Sequence, residues 1–245
     1  MLARIGAPSN VRLACQTRPV GDISVVPLLP PINALREARR QHDFLQGHER
    51  EVAVLFADLR GFTQMAEDRL PYDVVFVLNR YFEAMGSAIE RASGRIDKFI
   101  GDGVMAVFGI RRPIDDACRR ALFAARVMAE NLEVLNEALA EEGMQPLRIA
   151  IGIHAGSAIV GEMGYSRVTS LTAVGDTVNT ASRLEALAKQ YGCQLVVSEA
   201  VVRHAGLTLP ERSRRSAKLR GRDGELYVYA LDDARDLVLT EQADA

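Results

Sequence analysis

The chain has 245 residues, 48% hydrophobic and 25% charged, enough to bury one substantial core in a single large domain with extensions. A formal net charge of -2 offers no basic field, and no apolar run approaches 18 residues, so neither nucleic acid nor a membrane segment is expected. Three widely spaced cysteines, Cys15, Cys118 and Cys193, argue against a disulfide framework and for a reducing compartment, the cytoplasm.

Residues 1–32 read as a short remnant running into a proline-rich linker, 26-VPLLPP-31, where three prolines block helix continuation and ladder donation. Residues 33–50 read as a lead-in, with Leu35 and Phe44 among many charges suggesting a short amphipathic helix over 33–47. The segment 52-VAVLFADL-59 has the β-branched and aromatic content of a buried strand and stops at Arg60-Gly61. Val74, Val75, Leu78, Phe82, Met85 and Ile89 recur at helical spacing between Pro71 and Gly94, which predicts a helix there. The run 95-RIDKFIGDGVMAVFG-109 alternates around a central Gly-Asp-Gly, the pattern of a hairpin. A helix over 114–141 follows, then strands over 147–156 and 168–174, a helix over 177–192, and strands over 194–198 and 226–231. The domain is expected to span 51–231, with 232–245 as a C-terminal tail.

This order, β-α-β-β-α-β with additions, implies an α+β, ferredoxin-like, palm-like sheet in which the third strand inserts antiparallel between the first two. The end of the first strand, Asp58, then meets the start of the third, Asp102. Two converging carboxylates repel, and hard divalent cations remove that repulsion, so a two-metal phosphoryl or nucleotidyl site follows. Directly after Asp58, 59-LRGFT-63 supplies a glycine and successive amides entering a helix, a cradle suited to a triphosphate. Asn179 and Arg183, four residues apart, share one helical face where an amide and a guanidinium can grip one ligand, while Asp176 is expected to cap that helix. His154, inside an apolar strand, reads as a satisfied core histidine.

Three strings in order, 56-FADLRGFT-63, 98-KFIGDG-103 and 174-VGDTVN-179 through Arg183, resemble the catalytic domain of class III nucleotidyl cyclases. The resemblance implies that Asp58 and Asp102, with Leu59, hold two Mg²⁺ or Mn²⁺ ions. One ion would activate a ribose 3′-hydroxyl for attack on the α-phosphate. Asn179 would position the ribose, and Arg183 would stabilise charge on the α-phosphate. Gly61, Phe62 and Thr63 would cradle the triphosphate, and Arg220, in a run with Lys218 and Arg222, would meet its terminal phosphates. In this family Lys with Asp or Thr selects adenine, whereas guanylyl cyclases place Glu and a small residue such as Cys there. Lys98 and Thr172 occupy those positions here, which implies ATP as substrate, 3′,5′-cyclic AMP and pyrophosphate as products, and a role in signal transduction. An ammonium can donate to adenine N1 but meets a donor in guanine, and a hydroxyl can accept from the 6-amino group. Thr in place of Asp resembles the bicarbonate-responsive subclass, so bicarbonate is the effector the resemblance suggests. It also implies a homodimer with two composite sites: Asp58 and Asp102 come from one copy, and Lys98, Thr172, Asn179 and Arg183 from the other. A diguanylate cyclase would carry Gly-Gly-Asp/Glu-Glu-Phe at the hairpin, which 100-IGDGV-104 lacks. Catalytically dead relatives usually lose an Asp or the Arg, and all of these are present. Finally, 12-RLACQTRPVGDISVVPLLP-30 resembles the tail of a [2Fe-2S] ferredoxin, but Cys15 alone cannot supply four thiolates, so no iron-sulfur cluster is expected and any sensor domain is missing or decayed.

Overall fold

The central strand, β1 (His48–Leu59), shows how the fold sorts its side chains: Ala53, Leu55, Ala57 and Leu59 enter one hydrophobic core, and Val52 and Val54 enter a second on the opposite face. By that alternation Asp58 faces the second side. The computed structural model describes residues 47–67, 70–165, 168–219 and 224–239, all within the compact unit His42–Ala245. The proline-rich segment, Cys15, the expected helix over 33–47, Arg220, Arg222 and residues 240–245 lie outside the described residues.

β1 pairs antiparallel with β3 (Gly103–Phe108) on one side and with β4 (Ile149–Tyr165) on the other. The remaining strands are β2 (Arg95–Ile100), β5 (Val168–Val174), β6 (Leu195–Ser198), β7 (Arg214–Ala217) and β8 (Leu226–Leu231). They complete an eight-stranded sheet in the order β2-β3-β1-β4-β6-β8-β7, with β5 paired to β4. The third strand lies between the first two, as the element order requires. β1 starts at His48 rather than at residue 51 or 52 because the ladder, not burial, carries its first residues: His48 to Glu51 pair with Val160 to Ser157, and Ser157 donates to Glu49 at 2.6 Å.

Among the described residues five helices cover the sheet: α1 (Phe62–Glu67), α2 (Pro71–Arg91), α3 (Ile114–Glu141), α4 (Asp176–Tyr191) and α5 (Glu199–Ala205). α2 and α3 bury Tyr81, Met85, Ile89, Leu122 and Met128 against Leu55, Phe108, Ile151 and Ile153. α4 covers the other face with Ala181, Leu184 and Ala188. Its backbone lies directly on β4, since a Cβ at Gly152 would stand 2.1 Å from Glu185 N. Residues 232–239, expected as a tail, send Ala234 and Leu237 into the main core. Among the described residues no helix is long and apolar enough to cross a membrane.

Candidate active site

The hairpin between β2 and β3 turns on Gly101-Asp102, with Gly101 at φ +62°, a conformation glycine adopts without a Cβ penalty. Because Ala57 pairs with Val104, the turn overhangs the end of β1. The Asp102 and Asp58 carboxyl groups come within hydrogen-bonding reach of each other. Burial, the hydrogen bond to Asp58 and the charge of Asp58 push the Asp102 carboxyl from 3.8 up to about 6. Backbone crowds the dyad: a Cβ on Gly103 would meet Ile100 O at 3.2 Å and Asp58 Oδ1 at 3.4 Å.

A cation already leans on this pair. Lys189, near the C-terminal end of α4, places Nζ 2.5 Å from Asp58 Oδ2 and 3.0 Å from Glu185 Oε1. Burial opposes the Lys189 charge, but hydrogen bonds to Asp58 and Glu185 outweigh it and raise the ammonium's pKa. Burial raises the Glu185 carboxyl, against the pull of Lys189. Beneath the site, the Tyr81 hydroxyl is buried without a hydrogen-bond partner among the described residues, and burial followed by Asp58 and Asp102 raises its pKa strongly. Sequence reasoning missed Lys189 and Glu185. Their i, i+4 spacing was readable, but which strand end they would face was not.

Among the described residues no cluster of three or more His, Cys, Asp or Glu forms a closed metal cage. The pair Asp58 and Asp102 nevertheless fits Mg²⁺ or Mn²⁺. Its donors are hard carboxylate oxygens held against each other, and Mg²⁺ typically uses one or two carboxylates and takes the rest of its shell from phosphate and water.

A second cluster lies on the edge strand. The β2–β3 ladder passes from Ile96–Ala106 directly to Lys98–Met105, leaving Asp97 as an extra, bulged residue. In a regular strand consecutive side chains point to opposite faces. Here the bulge lets both Asp97 and Lys98 reach one atom of β5: Thr172 Oγ1 donates to Asp97 Oδ2 at 2.8 Å and accepts from Lys98 Nζ at 3.1 Å. Lys98 and Asp97 are themselves ion-paired at 3.0 Å, with the Asp97 side chain 2% exposed and Lys98 44% exposed. Lys98 and Thr172, 74 residues apart, are therefore brought together within one chain. Asp97 was not among the residues singled out from the sequence, because an acid beside a lysine on an edge strand reads as solvated charge.

Asn179 and Arg183 occupy α4, the first exposed and the second half-buried, with Arg183 Nη1 buried and without a hydrogen-bond partner among the described residues. No hydrogen bond among the described residues ties either to the carboxylate pair. Asp176 corrects its expected role: Gly175, at φ +140°, is the N-cap, and Asp176 sits in the first turn of the helix, where its charge suits the helix dipole. Gly61, at φ +69°, turns the chain into α1, whose first amides, starting at Phe62 and Thr63, are those a helix leaves without internal partners. Leu59 N contacts Asp58 Oδ1 at 3.1 Å. Arg60 donates to the carbonyls of Ala188, at 2.9 Å, and Cys193, pinning the end of α4. His154 is the core histidine expected, 6% exposed and hydrogen-bonded to Ser198 Oγ at 2.9 Å.

A split β-α-β sheet with two carboxylates converging at its hairpin turn defines a domain of the nucleotidyl-transfer class. Comparison with known proteins makes this specific. The adenylate and guanylate cyclase catalytic domain matches residues 45–233, and the chain belongs to that family. It is 38% identical over 189 residues to the adenylate cyclase of Anabaena cylindrica, covering 74% of this chain and 36% of that protein. Over 197 residues it is 36% identical to adenylate cyclase 1 of Rhizobium meliloti (strain 1021), covering 79% of this chain and 29% of that protein. The chain thus spans about a third of the length of these curated relatives. Among solved structures, the guanylyl cyclase Cya2 superposes with a TM-score of 0.70 at 32% identity, covering 75% of this chain and 92% of that one. The adenylyl cyclase CyaB from P. aeruginosa gives 0.68 at 26% identity, covering 79% of this chain and 100% of that one.

Proposed function

We propose that this chain is an adenylate cyclase domain that converts ATP to 3′,5′-cyclic AMP and pyrophosphate at two composite sites in a homodimer. The observation that carries the reading is the Lys98–Thr172 contact at 3.1 Å, which presents an ammonium donor and a hydroxyl oxygen side by side. That pairing is complementary to the Watson–Crick edge of adenine, whose N1 accepts and whose 6-amino group donates.

Asp58 and Asp102, with Leu59 beside them, would hold two Mg²⁺ or Mn²⁺ ions, which supply neutralisation of phosphate charge and activation of the ribose 3′-hydroxyl. Lys189 would leave Asp58 as the metals bind. Asn179 orients the ribose, and Arg183 steadies charge on the α-phosphate, a role supported by its unpartnered Nη1. Gly61, Phe62 and Thr63 offer backbone amides to the triphosphate, and Arg220 meets its terminal phosphates. The metal-binding pair and the base-reading set serve the same nucleotide from different copies. This is supported by the exposed apolar side chains beside the base-reading set, Phe99 at 46%, Ile100 at 56% and Val174 at 41%, which a partner copy would cover. The reaction would run in the cytoplasm, and bicarbonate would raise turnover, as the Lys/Thr pair suggests.

Purified protein incubated with Mn²⁺ and either ATP or GTP, with products resolved chromatographically, tests the reading. Cyclic AMP from ATP is expected, with Lys98→Glu plus Thr172→Cys lowering ATP use far more than it lowers the melting temperature. A higher kcat/KM for GTP in the unmodified chain would overturn it.

A further inference from the structure

Asp97 carries a deeply buried carboxylate, its side chain 2% exposed against 12% for Glu185 and 28% for Asp58, yet neither the metals nor the phosphates call for it. Its chemistry lies in what it does to Thr172. A hydroxyl is ambivalent, able to donate or accept according to how its hydrogen rotates, and on its own it could serve the 6-amino group of adenine or the 6-oxo group of guanine equally.

Asp97 removes that choice. As the carboxylate partner of the Lys98 ammonium at 3.0 Å, it only accepts, so the 2.8 Å bond from Thr172 Oγ1 takes up the hydroxyl hydrogen. Oγ1 keeps two lone pairs, one facing Lys98 Nζ at 3.1 Å and one for an incoming donor. Lys98 has three N–H groups; Thr172 and Asp97 engage two, leaving one for an incoming acceptor. The cluster therefore shows a ligand one fixed acceptor beside one fixed donor. Adenine answers both. Guanine meets the fixed acceptor with its O6 and the fixed donor with its N1–H, two unmatched polar contacts.

We propose that Asp97 is a specificity-determining positioning residue that locks the Thr172 hydroxyl as an acceptor and so commits the site to 6-aminopurine nucleoside triphosphates. The bulge at Asp97 is what makes this possible, because it alone lets Asp97 and Lys98, adjacent in sequence, address the same oxygen. This inference rests on the adenine reading of Lys98 and Thr172.

The test compares kcat/KM for ATP, GTP and purine riboside triphosphate, which keeps the N1 acceptor but lacks the 6-amino group. Competition of the same nucleotides against a fluorescent ATP analogue gives the ratios independently of turnover. In the unmodified chain, loss of the amino group is expected to cost about tenfold, the size of one hydrogen bond whose acceptor is left unmatched. In Asp97→Asn, whose amide can also donate, that gap is expected to shrink to about threefold or less and the ATP-over-GTP ratio to fall about tenfold. Asp97→Glu, again acceptor-only, should keep the gap. In Thr172→Val the gap should vanish, and adding Asp97→Asn should change no ratio further. If Asp97→Asn does not fold, as judged by its melting curve, Asp97→Ser replaces it with the same expectation. A uniform fall for all three nucleotides, with ratios unchanged, overturns the proposal and leaves Asp97 a purely structural partner. Preference of the unmodified chain for GTP would instead overturn the adenine reading itself, a separate result seen before any variant is made.

Discussion

Gly152→Ala probes how α4, which carries Asn179, Arg183, Glu185 and Lys189, is held on the sheet. A Cβ at residue 152 would stand 2.1 Å from Glu185 N, 2.5 Å from Ala181 O and 2.7 Å from Leu184 C, all of them helix backbone that cannot rotate aside. Ordinary contact begins near 3.4 Å, so the helix must retreat by about 1.3 Å or the strand must buckle. Overpacking of this kind costs about 1–3 kcal/mol, and the absence of any flexible neighbour places this site at the upper end. A displacement of about 1 Å in residues that orient a substrate costs about a hundredfold in rate. Urea denaturation followed by circular dichroism should show a loss near ~3 kcal/mol, and kcat/KM for ATP should fall about a hundredfold. Gly86→Ala is the control: its Cβ would meet only Ile96 Cδ1 at 3.4 Å, and replacing a helix-interior glycine should stabilise by about 0.5–1 kcal/mol. Gly152→Ala with stability within about 0.5 kcal/mol and activity within about threefold of the parent would refute direct seating of α4 on β4.

Asp58→Ala and Arg183→Ala should each be inactive alone, but mixing them under subunit exchange should restore about a quarter of parental activity, because half the dimers are mixed and each holds one intact site; no recovery despite demonstrated exchange would rule out the shared site. Lys189→Met removes the ammonium that competes for Asp58, so Mn²⁺ binding without nucleotide, followed by electron paramagnetic resonance, should tighten about tenfold, the worth of one charge-assisted hydrogen bond; unchanged or weaker binding would show that Lys189 does not compete. Burial, aided by Asp115, pushes the Cys118 thiol up to about 12, so iodoacetamide at pH 8 should leave it unmodified in the native protein and alkylate it after unfolding; rapid labelling of the native chain, read by peptide mass spectrometry, would contradict this.

The parts legible in the sequence were those whose signal is local or periodic. α2 and α3 announce themselves through apolar residues at helical spacing, and both structural ends of α3 coincide with the expected 114 and 141. Strand order then carried Asp58 to Asp102 without further information. What stayed hidden depends on partners far along the chain. β7, with the sequence RRSA, has no apolar alternation and exists because Tyr227 and its neighbours in β8 offer it a ladder. α5 is seven residues long, too short for a periodic signature, and forms where Ser198 ends β6. β4 runs on to Tyr165, well past the expected 156, because β1 and β5 both pair with its far half. At the site, Lys98 and Thr172 were identifiable by their strings, while Asp97 and Lys189 were not, since a bulge and an ion pair 131 residues long in sequence leave no mark on local composition.

The central position of β1 has a consequence for how the molecule is made. β1 is among the first described elements to leave the ribosome, yet β4, which pairs with its whole length from His48 to Leu59, comes much later. Ala150, the ladder partner of Asp58, follows it by 92 residues, roughly 5–18 s of synthesis at about 5–20 residues per second. Throughout that interval β1, apolar on both faces, holds one row of backbone donors and acceptors unpaired, the condition that invites association with other nascent chains. A polypeptide that stalls or is cleaved before residue 149 therefore keeps β2 and β3 but exposes the middle of the sheet as a new edge, so quality control of unfinished chains matters more here than for folds whose first strand is a natural edge.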